Sequence, residues 1–372
     1  MPLDSGAVID GRYLVERVLP GAHACRMEYV GVHQQSQAAV FIQEYLPRAI
    51  ACRARNGHWV RPLSEAVRAP YEEGRARFTR ETRALYRLHH PHCVATHAPV
   101  RAHGTSYRIC TLHTGGAPLD ALIAQTGALD LSVARAVLLP VLRALHAAHD
   151  HDLIHGNVTP AAVYLQPDGH PVLGRFQGAA WRTMRTIGEP EAVLQAAYSP
   201  PELYAEHGIV GPWSDIYGWA ATFVGLVQGE SPEPSPDADQ VPAAWVDDVD
   251  ALPPDLRHVL RYALARDTGR RPQSAGELAD WVEEHESNGG TGGQRSEDAD
   301  AFHPTSRREK PQQQAVEPAL GRLPENEGGP HGQTSARLWD TLLPWLIAFL
   351  IVLAAGGIGA GVWKGLSLIS AL

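Results

Sequence analysis

Cysteine is scarce in this chain of 372 residues: there are four, Cys25, Cys52, Cys93 and Cys110, and no two form a C-x-x-C pair. That spacing supports neither a zinc ribbon nor a disulfide framework, and it fits a reducing cytosol. A basic excess is lacking as well. Lys and Arg number 32 against 41 Asp and Glu, a formal net charge of -9, so nothing draws the chain as a whole to nucleic acid, and no nucleic-acid partner is expected. The opening residues MPLDSGAVIDGRY have no basic n-region and no apolar h-region, so they do not read as a secretory signal, and the bulk of the protein is expected in the cytoplasm. Core-forming residues are not short, however. A hydrophobic content of 44% with 20% charge can build a packed interior, and the length allows two or three units or one two-lobed unit with appendages.

The 35 glycines and 29 prolines are therefore expected to concentrate somewhere. Residues 285–338 are poor in apolar side chains and rich in Gly, Pro, Gln and charge, which reads as a disordered linker. The run LLPWLIAFLIVLAAGGIGAGVW, Leu342 to Trp363, carries no charge and as a helix would span about 33 Å, enough for a bilayer core. Trp345 and Trp363 lie near its ends, and Arg322 and Arg337 precede it against Lys364 after it. A single C-terminal transmembrane helix in the inner membrane, with the large domain cytoplasmic, is the expectation. Gly357 and Gly361 form a small-x-x-x-small pair through which two such helices could associate as a homodimer.

Before the linker, runs such as YLVERVL and AAVFI up to about residue 45 read as hairpin strands. Helical spacing follows at Phe78 to Leu88 and at Leu131 to His149, the latter with Asp130 as a cap and Pro140 expected to kink it. Ser214 to Gln228 is apolar nearly all round yet too short to cross a bilayer, so it predicts a helix at the centre of a lobe. The acidic, proline-containing stretch Glu230 to Asp250 reads as a solvated loop. His146, His149, His151 and His155 invite a metal reading, but ordinary helix-end imidazoles are the simpler account, and no metal site is expected.

Local motifs then occur in a telling order: VFIQEYLP (40–47), HPHCV (90–94), LIHGNVTPAAVYL (153–165), PVLGRFQGAA (171–180), YSPPELY (198–204), GPWSDIYGWAAT (211–222) and RRPQSAGEL (270–278). Over residues 11–284 this resembles the bacterial eukaryotic-type Ser/Thr protein kinases, in particular the subfamily whose lysine-bearing strand reads V-A-I-K-E-Y-F-P. The resemblance implies an α+β, two-lobed fold: a small β-rich N-lobe over about 11–112 and a larger helical C-lobe over about 113–284.

The chemistry residues depart from that pattern. A kinase needs a strand Lys paired with a helix-borne Glu, a catalytic-loop Asp as base, and an Asn and an Asp on magnesium. Matched onto this chain, the Lys position holds Gln43, the Glu survives as Glu81, the base position holds Asn157, the loop Lys and Asn positions hold Thr159 and Ala162, and the magnesium Asp is Arg175. The glycine-rich loop, LPGAHACRMEY from Leu19 to Tyr29, keeps one glycine where the family carries three. An amide has no useful basicity near neutral pH, and a general base is worth about 10²–10⁴ in rate. Ala162 offers no oxygen to a metal and Arg175 repels one, so magnesium is not expected. Framework positions persist: His155 and Phe176 of a stacked spine, Asp215 that in the family bonds the catalytic-loop backbone, and Glu202 with Arg271, which resemble the family's buried ion pair.

These features imply a catalytically inactive pseudokinase, tethered to the membrane and acting as a scaffold or allosteric partner of a protein such as an active kinase or a membrane assembly. The alternative is an atypical kinase or nucleotide transferase that still holds ATP, through hinge backbone near Cys110, Thr111, Leu112 and His113. Because Gln43 strands Glu81 while Arg175 brings a new cation to the same cleft, an ion pair between Glu81 and Arg175 is also expected.

Overall fold

A computed structural model describes residues 2–19, 24–55, 57–112, 116–231, 245–247, 249–250 and 252–287. Its N-terminal half is an antiparallel sheet in the order β1 (Val8–Ile9), β2 (Tyr13–Val18), β3 (Arg26–His33), β4 (Ala39–Tyr45), β8 (Thr105–Thr111), β7 (Val100–Ala102). The alternation of Tyr13 and Val15 on β2 and Val40 and Ile42 on β4 puts one apolar face on the core, as half-buried strands require. Leu3 is fully buried and its backbone N–H donates to the Tyr29 hydroxyl at 3.1 Å, so the fold starts before residue 11, the expected boundary.

A short hairpin, β5 (Ala51–Arg53) with β6 (Val60–Pro62), is inserted after β4. Arg53 reaches from it to the fully buried Glu44, whose carboxylate also accepts from Tyr29 Oη at 2.6 Å and Tyr107 Oη at 3.1 Å. A buried carboxylate is tolerated when it is paired and fully hydrogen-bonded, and here its partners lock hairpin to sheet.

Helix α1 (Arg68–Arg87) packs against the sheet with Tyr71, Phe78 and Leu85 inward. It begins ten residues before the Phe78 start that periodicity indicated, because its first turns are held by partners elsewhere in the fold: Tyr71 Oη donates to the Gly104 carbonyl at 2.9 Å.

The C-terminal half is helical: α2 (Leu119–Thr126), α3 (Leu131–His149), α4 (Gly178–Thr186), α5 (Pro201–Tyr204), α6 (Pro212–Gln228), α7 (Pro254–Ala263) and α8 (Ala275–Ser287). A small sheet joins β9 (Ala117–Pro118), just before α2, to β10 (Val163–Leu165) and β11 (Pro171–Leu173), which lie between α3 and α4 in the sequence. Helix α6 is buried almost throughout, and Trp219 Nε1 donates to the Leu138 carbonyl at 2.9 Å, joining α6 to α3.

Helix α3 continues through Pro140, and Asp130 supplies its backbone carbonyl, not its side chain, to the first turn. By length and hydropathy α3 alone among the described residues could cross a membrane, yet half of it is buried against α6 and α8, as in a core helix. Helix α8 carries helical structure past residue 284, into the first residues of the expected linker. The rest of that linker, the run Leu342 to Trp363 and the Gly357 and Gly361 pair lie outside the described residues.

Candidate functional site

The cleft is built from the sheet downward. Glu28, Gln43 and Arg108 are successive cross-strand partners on β3, β4 and β8, so their side chains emerge on one face in a row. All are buried. Gln43 Nε2 donates to Glu28 Oε1 at 3.0 Å, and Gln43 Oε1 accepts from Arg108 Nη1 at 3.4 Å. Arg26, two residues along β3 from Glu28 and thus on the same face, donates through Nε to Glu28 Oε1 at 2.6 Å.

Arg108 does the work assigned in the sequence to Arg175. Its Nη2 pairs with Glu81 Oε1, its Nη1 donates to the Phe176 carbonyl at 3.0 Å, and its guanidinium lies 4.9 Å from the Phe78 ring centroid. The expected Glu81 and Arg175 pair is therefore corrected. Arg108 projects from β8 toward α1 and reaches Glu81 directly, whereas Arg175 donates through Nε to Tyr164 Oη at 2.8 Å. The second Glu81 oxygen accepts from Ala179 N at 2.6 Å, which places a carboxylate at the N-terminus of α4, where exposed N–H groups and the helix dipole favour negative charge.

Below the sheet, Asn157 occupies the position where the family carries its base. With the Gln177 amide oxygen turned toward it, the orientation that gives both ends of that amide partners, Asn157 Nδ2 donates to Gln177 at 2.8 Å, and the two terminal nitrogens of Arg26 approach the same oxygen at 3.2 and 3.3 Å. Arg26 thus spans from β3 to the loop around Asn157. Thr159 and Ala162 are buried beside it, with Thr159 Oγ1 lacking a partner among the described residues. A magnesium ion does not fit here: Ala162 has no donor atom, Arg175 is a cation, and no cluster of His, Cys, Asp or Glu suited to a metal occurs among the described residues.

The framework residues meet in two places. Asp215 accepts from His155 N and Gly156 N, each at 2.8 Å, and contacts His149 Nε2 at 2.9 Å. Gly156 stands at φ 70°, a left-handed conformation that glycine adopts freely. His155 packs on Phe176 with ring centroids 4.4 Å apart; its Nδ1 accepts from Asn157 N at 3.2 Å, so the proton sits on Nε2, which donates to the Gly174 carbonyl at 2.6 Å. Complete burial pushes its pKa below the ordinary histidine value, more strongly than Asp215 raises it. Farther down, Arg271 forks onto Glu202 at 2.6 and 3.0 Å while Ser214 Oγ donates to Glu202 at 2.8 Å.

What remains of the cleft is a cavity of about 330 Å³ walled by Val30, Phe41, Val94, Cys110, Val172 and Phe176. Arg26, Glu28, Asn157 and Gln177 do not line it, since their buried network fills the polar end. Of the expected hinge, Thr111 N donates to the Ala95 carbonyl at 2.9 Å, Leu112 N approaches the Ala39 carbonyl at 3.4 Å, and Cys110 Sγ lies 3.7 Å from Thr96 Oγ1. His113 lies outside the described residues.

Residues 64–279 match the family described as the protein kinase domain. The chain belongs to that family. Among curated proteins, the serine/threonine-protein kinase PknA of Mycobacterium tuberculosis is 28% identical over 217 residues, covering 55% of this chain and 50% of that protein. PknJ of the same organism is 29% identical over 294 residues, covering 74% of this chain and 46% of that protein. The chain thus spans about half the length of these kinases.

Solved kinase structures agree in fold: the apo form of PpkA-294 superposes with a TM-score of 0.63 at 25% identity, over 75% of this chain and 99% of that one. The PknI kinase domain of M. tuberculosis superposes with a TM-score of 0.57 at 26% identity, over 77% and 99%. A kinase-like domain related to the bacterial Ser/Thr kinases, with a β-rich N-lobe and a helical C-lobe, is the result.

Arg108, Arg26 and Glu28 had escaped sequence reasoning. The signal was there to read: an arginine inside the apolar run YRIC, and Arg26 and Glu28 two apart in a strand, each spacing that puts charge on a face otherwise buried.

Proposed function

We propose that this kinase-like domain is noncatalytic, a pseudokinase that works as a membrane-tethered scaffold or allosteric partner for another protein, such as an active kinase or a membrane assembly. One observation carries the reading: the polar end of the cleft is occupied by side chains that bond to one another, Arg26, Glu28, Gln43, Arg108 and Glu81, next to Asn157 and Gln177. Phosphoryl transfer relies on placed metal ions and a base, and at those positions this chain has an arginine, an alanine and an amide.

Its Glu81 is satisfied without nucleotide, so the domain has an ion pair holding α1 to the sheet that needs no ATP to form. The membrane tether rests on the uncharged run Leu342 to Trp363, and a homodimer through Gly357 and Gly361 would double the scaffold.

The test is transfer of label from γ-labelled ATP, with magnesium and with manganese, to the full-length protein itself and to a generic protein substrate. No transfer above a protein-free control is expected. Metal-dependent transfer that disappears in Asn157→Ala would overturn the proposal and favour the atypical kinase.

A further inference from the structure

The hairpin inserted after β4 has two faces of opposite character. Across its ladder Arg53 pairs with Val60 and Cys52 with Arg61, and such partners share a face. Arg53, which reaches Glu44, and Val60, buried in the sheet core, mark the inner face. Alternation along β6 then sends Trp59, Arg61 and Leu63 to the outer one. Trp59 and Leu63 are each 55% exposed, and Arg61 between them is exposed as well. The backbone holds both flanking residues to the ladder, since Ala54 N donates to the Trp59 carbonyl at 2.6 Å and Leu63 N to the Ile50 carbonyl at 2.9 Å.

The charge on this element has one sign. Residues 47–63, PRAIACRARNGHWVRPL, hold four arginines and no Asp or Glu. Arg53 is committed to Glu44, whereas Arg55 and Arg61 are exposed. Arg55 stands in the turn closed by Gly57 N on the Ala54 carbonyl at 3.0 Å. Just past the hairpin, Glu65 pairs with Arg68 at 2.6 Å, and Asp4, beside Gly57, is an exposed carboxylate that opposes the arginines in part.

We propose that the outer face of this hairpin rests on an anionic bilayer surface, with Trp59 and Leu63 at the headgroup level and Arg55 and Arg61 on lipid phosphates. Tryptophan prefers that level because its ring is apolar and its N–H polar, and arginines beside exposed apolar side chains are the composition of surface-binding elements. Each arginine near an anionic leaflet is worth about fivefold in binding. A second copy of the same face is a poor occupant, because pairing would bring Arg55 and Arg61 of both copies together. This inference rests on the membrane-tethered reading, since a chain already held at a bilayer needs only a weak further contact to settle on it.

The experiment uses the full-length chain reconstituted in vesicles of phosphatidylcholine alone or of a two-to-one mixture of phosphatidylcholine and phosphatidylglycerol. Hydrogen exchange of residues 57–63 is followed by mass spectrometry. Exchange is expected to be about tenfold slower in the mixed vesicles, and the difference should vanish in 1 M salt, where the Debye length is about 3 Å. Arg55→Glu with Arg61→Glu should abolish the slowing and Trp59→Ser with Leu63→Ser should weaken it; all four side chains are exposed, so the fold is expected to survive both. Equal exchange in the two vesicles, or slowing that persists in Arg55→Glu with Arg61→Glu, would overturn the docking. So would slowing in detergent that grows with protein concentration, which would make a second copy the occupant. Alkaline carbonate tests the tether separately: a chain that it strips from phosphatidylcholine vesicles has no spanning helix, while exchange with the mixed vesicles still decides the hairpin.

Discussion

Arg108 touches β4, α1 and the segment after β11 at once, through Gln43, Glu81 and the Phe176 carbonyl. Truncating one member of a buried ion pair leaves the other charged and unpaired, which commonly costs about 3–5 kcal/mol. Arg108→Ala is therefore expected to lower the unfolding free energy by about that much in urea denaturation. The double variant Arg108→Met, Glu81→Leu should lose less, because no charge is then stranded. Equal losses in single and double variants would show that Arg108 contributes through packing on Phe78 and not through Glu81. The protein kinase pattern made Glu81 legible in the sequence, but its partner was misassigned to Arg175. Gln43 and Arg108 are 65 positions apart and become neighbours only through the register of β4 on β8.

At the scale of elements, α4 is the least ordinary piece of the cleft, since its N-terminus is capped by a carboxylate from α1 and it packs along that helix. Gly178 opens it where a side chain has no room: a Cβ there would stand 2.5 Å from the Ile154 carbonyl oxygen and 3.1 Å from Glu81 Oε2. Neither neighbour is free to move, the first being backbone and the second bonded to Arg108. Gly178→Ala should therefore cost about 1–3 kcal/mol. Hydrogen exchange should speed up first in residues 178–186, and unchanged protection there would mean that α4 does not depend on the close approach.

Helix α6 was legible as a run apolar nearly all round and too short to cross a bilayer, and the hairpin strands of the first lobe were legible from their β-branched and aromatic runs. Helix α3 runs Leu131–His149 as its spacing predicted, Pro140 included, whereas the start of α1 was not legible, because tertiary packing holds first turns that local propensity does not specify.

For the whole molecule, histidines decide the response to acid. Burial lowers the pKa of His155, and likewise of His90, His92, His97 and His103, in the folded protein. The unfolded chain, with histidines near 6.5, takes up protons first as pH falls. The stability these groups contribute is thus fully present above about pH 6.5 and is lost progressively below it. Thermal unfolding followed between pH 8 and pH 5 should show the midpoint falling once pH drops under about 6.5. His155→Phe, which keeps a ring against Phe176 while removing the titrating group, should flatten part of that fall if it folds. A midpoint that holds level to pH 5 would remove the argument.

The sequence by itself determined the family, the two-lobed plan, and which chemical groups stand at the base and metal positions, because ordered motifs and residue identities are properties of the chain. Only the tertiary structure decided where the charges went. Which guanidinium reaches Glu81, that Arg26 crosses to Gln177, and that Arg17 and Arg175 stand at the cavity depend on strand register, a bulge and one left-handed residue. Such distances are set by backbone geometry summed over distant segments, and a one-residue slip in register would have sent Arg108 to the other face of the sheet.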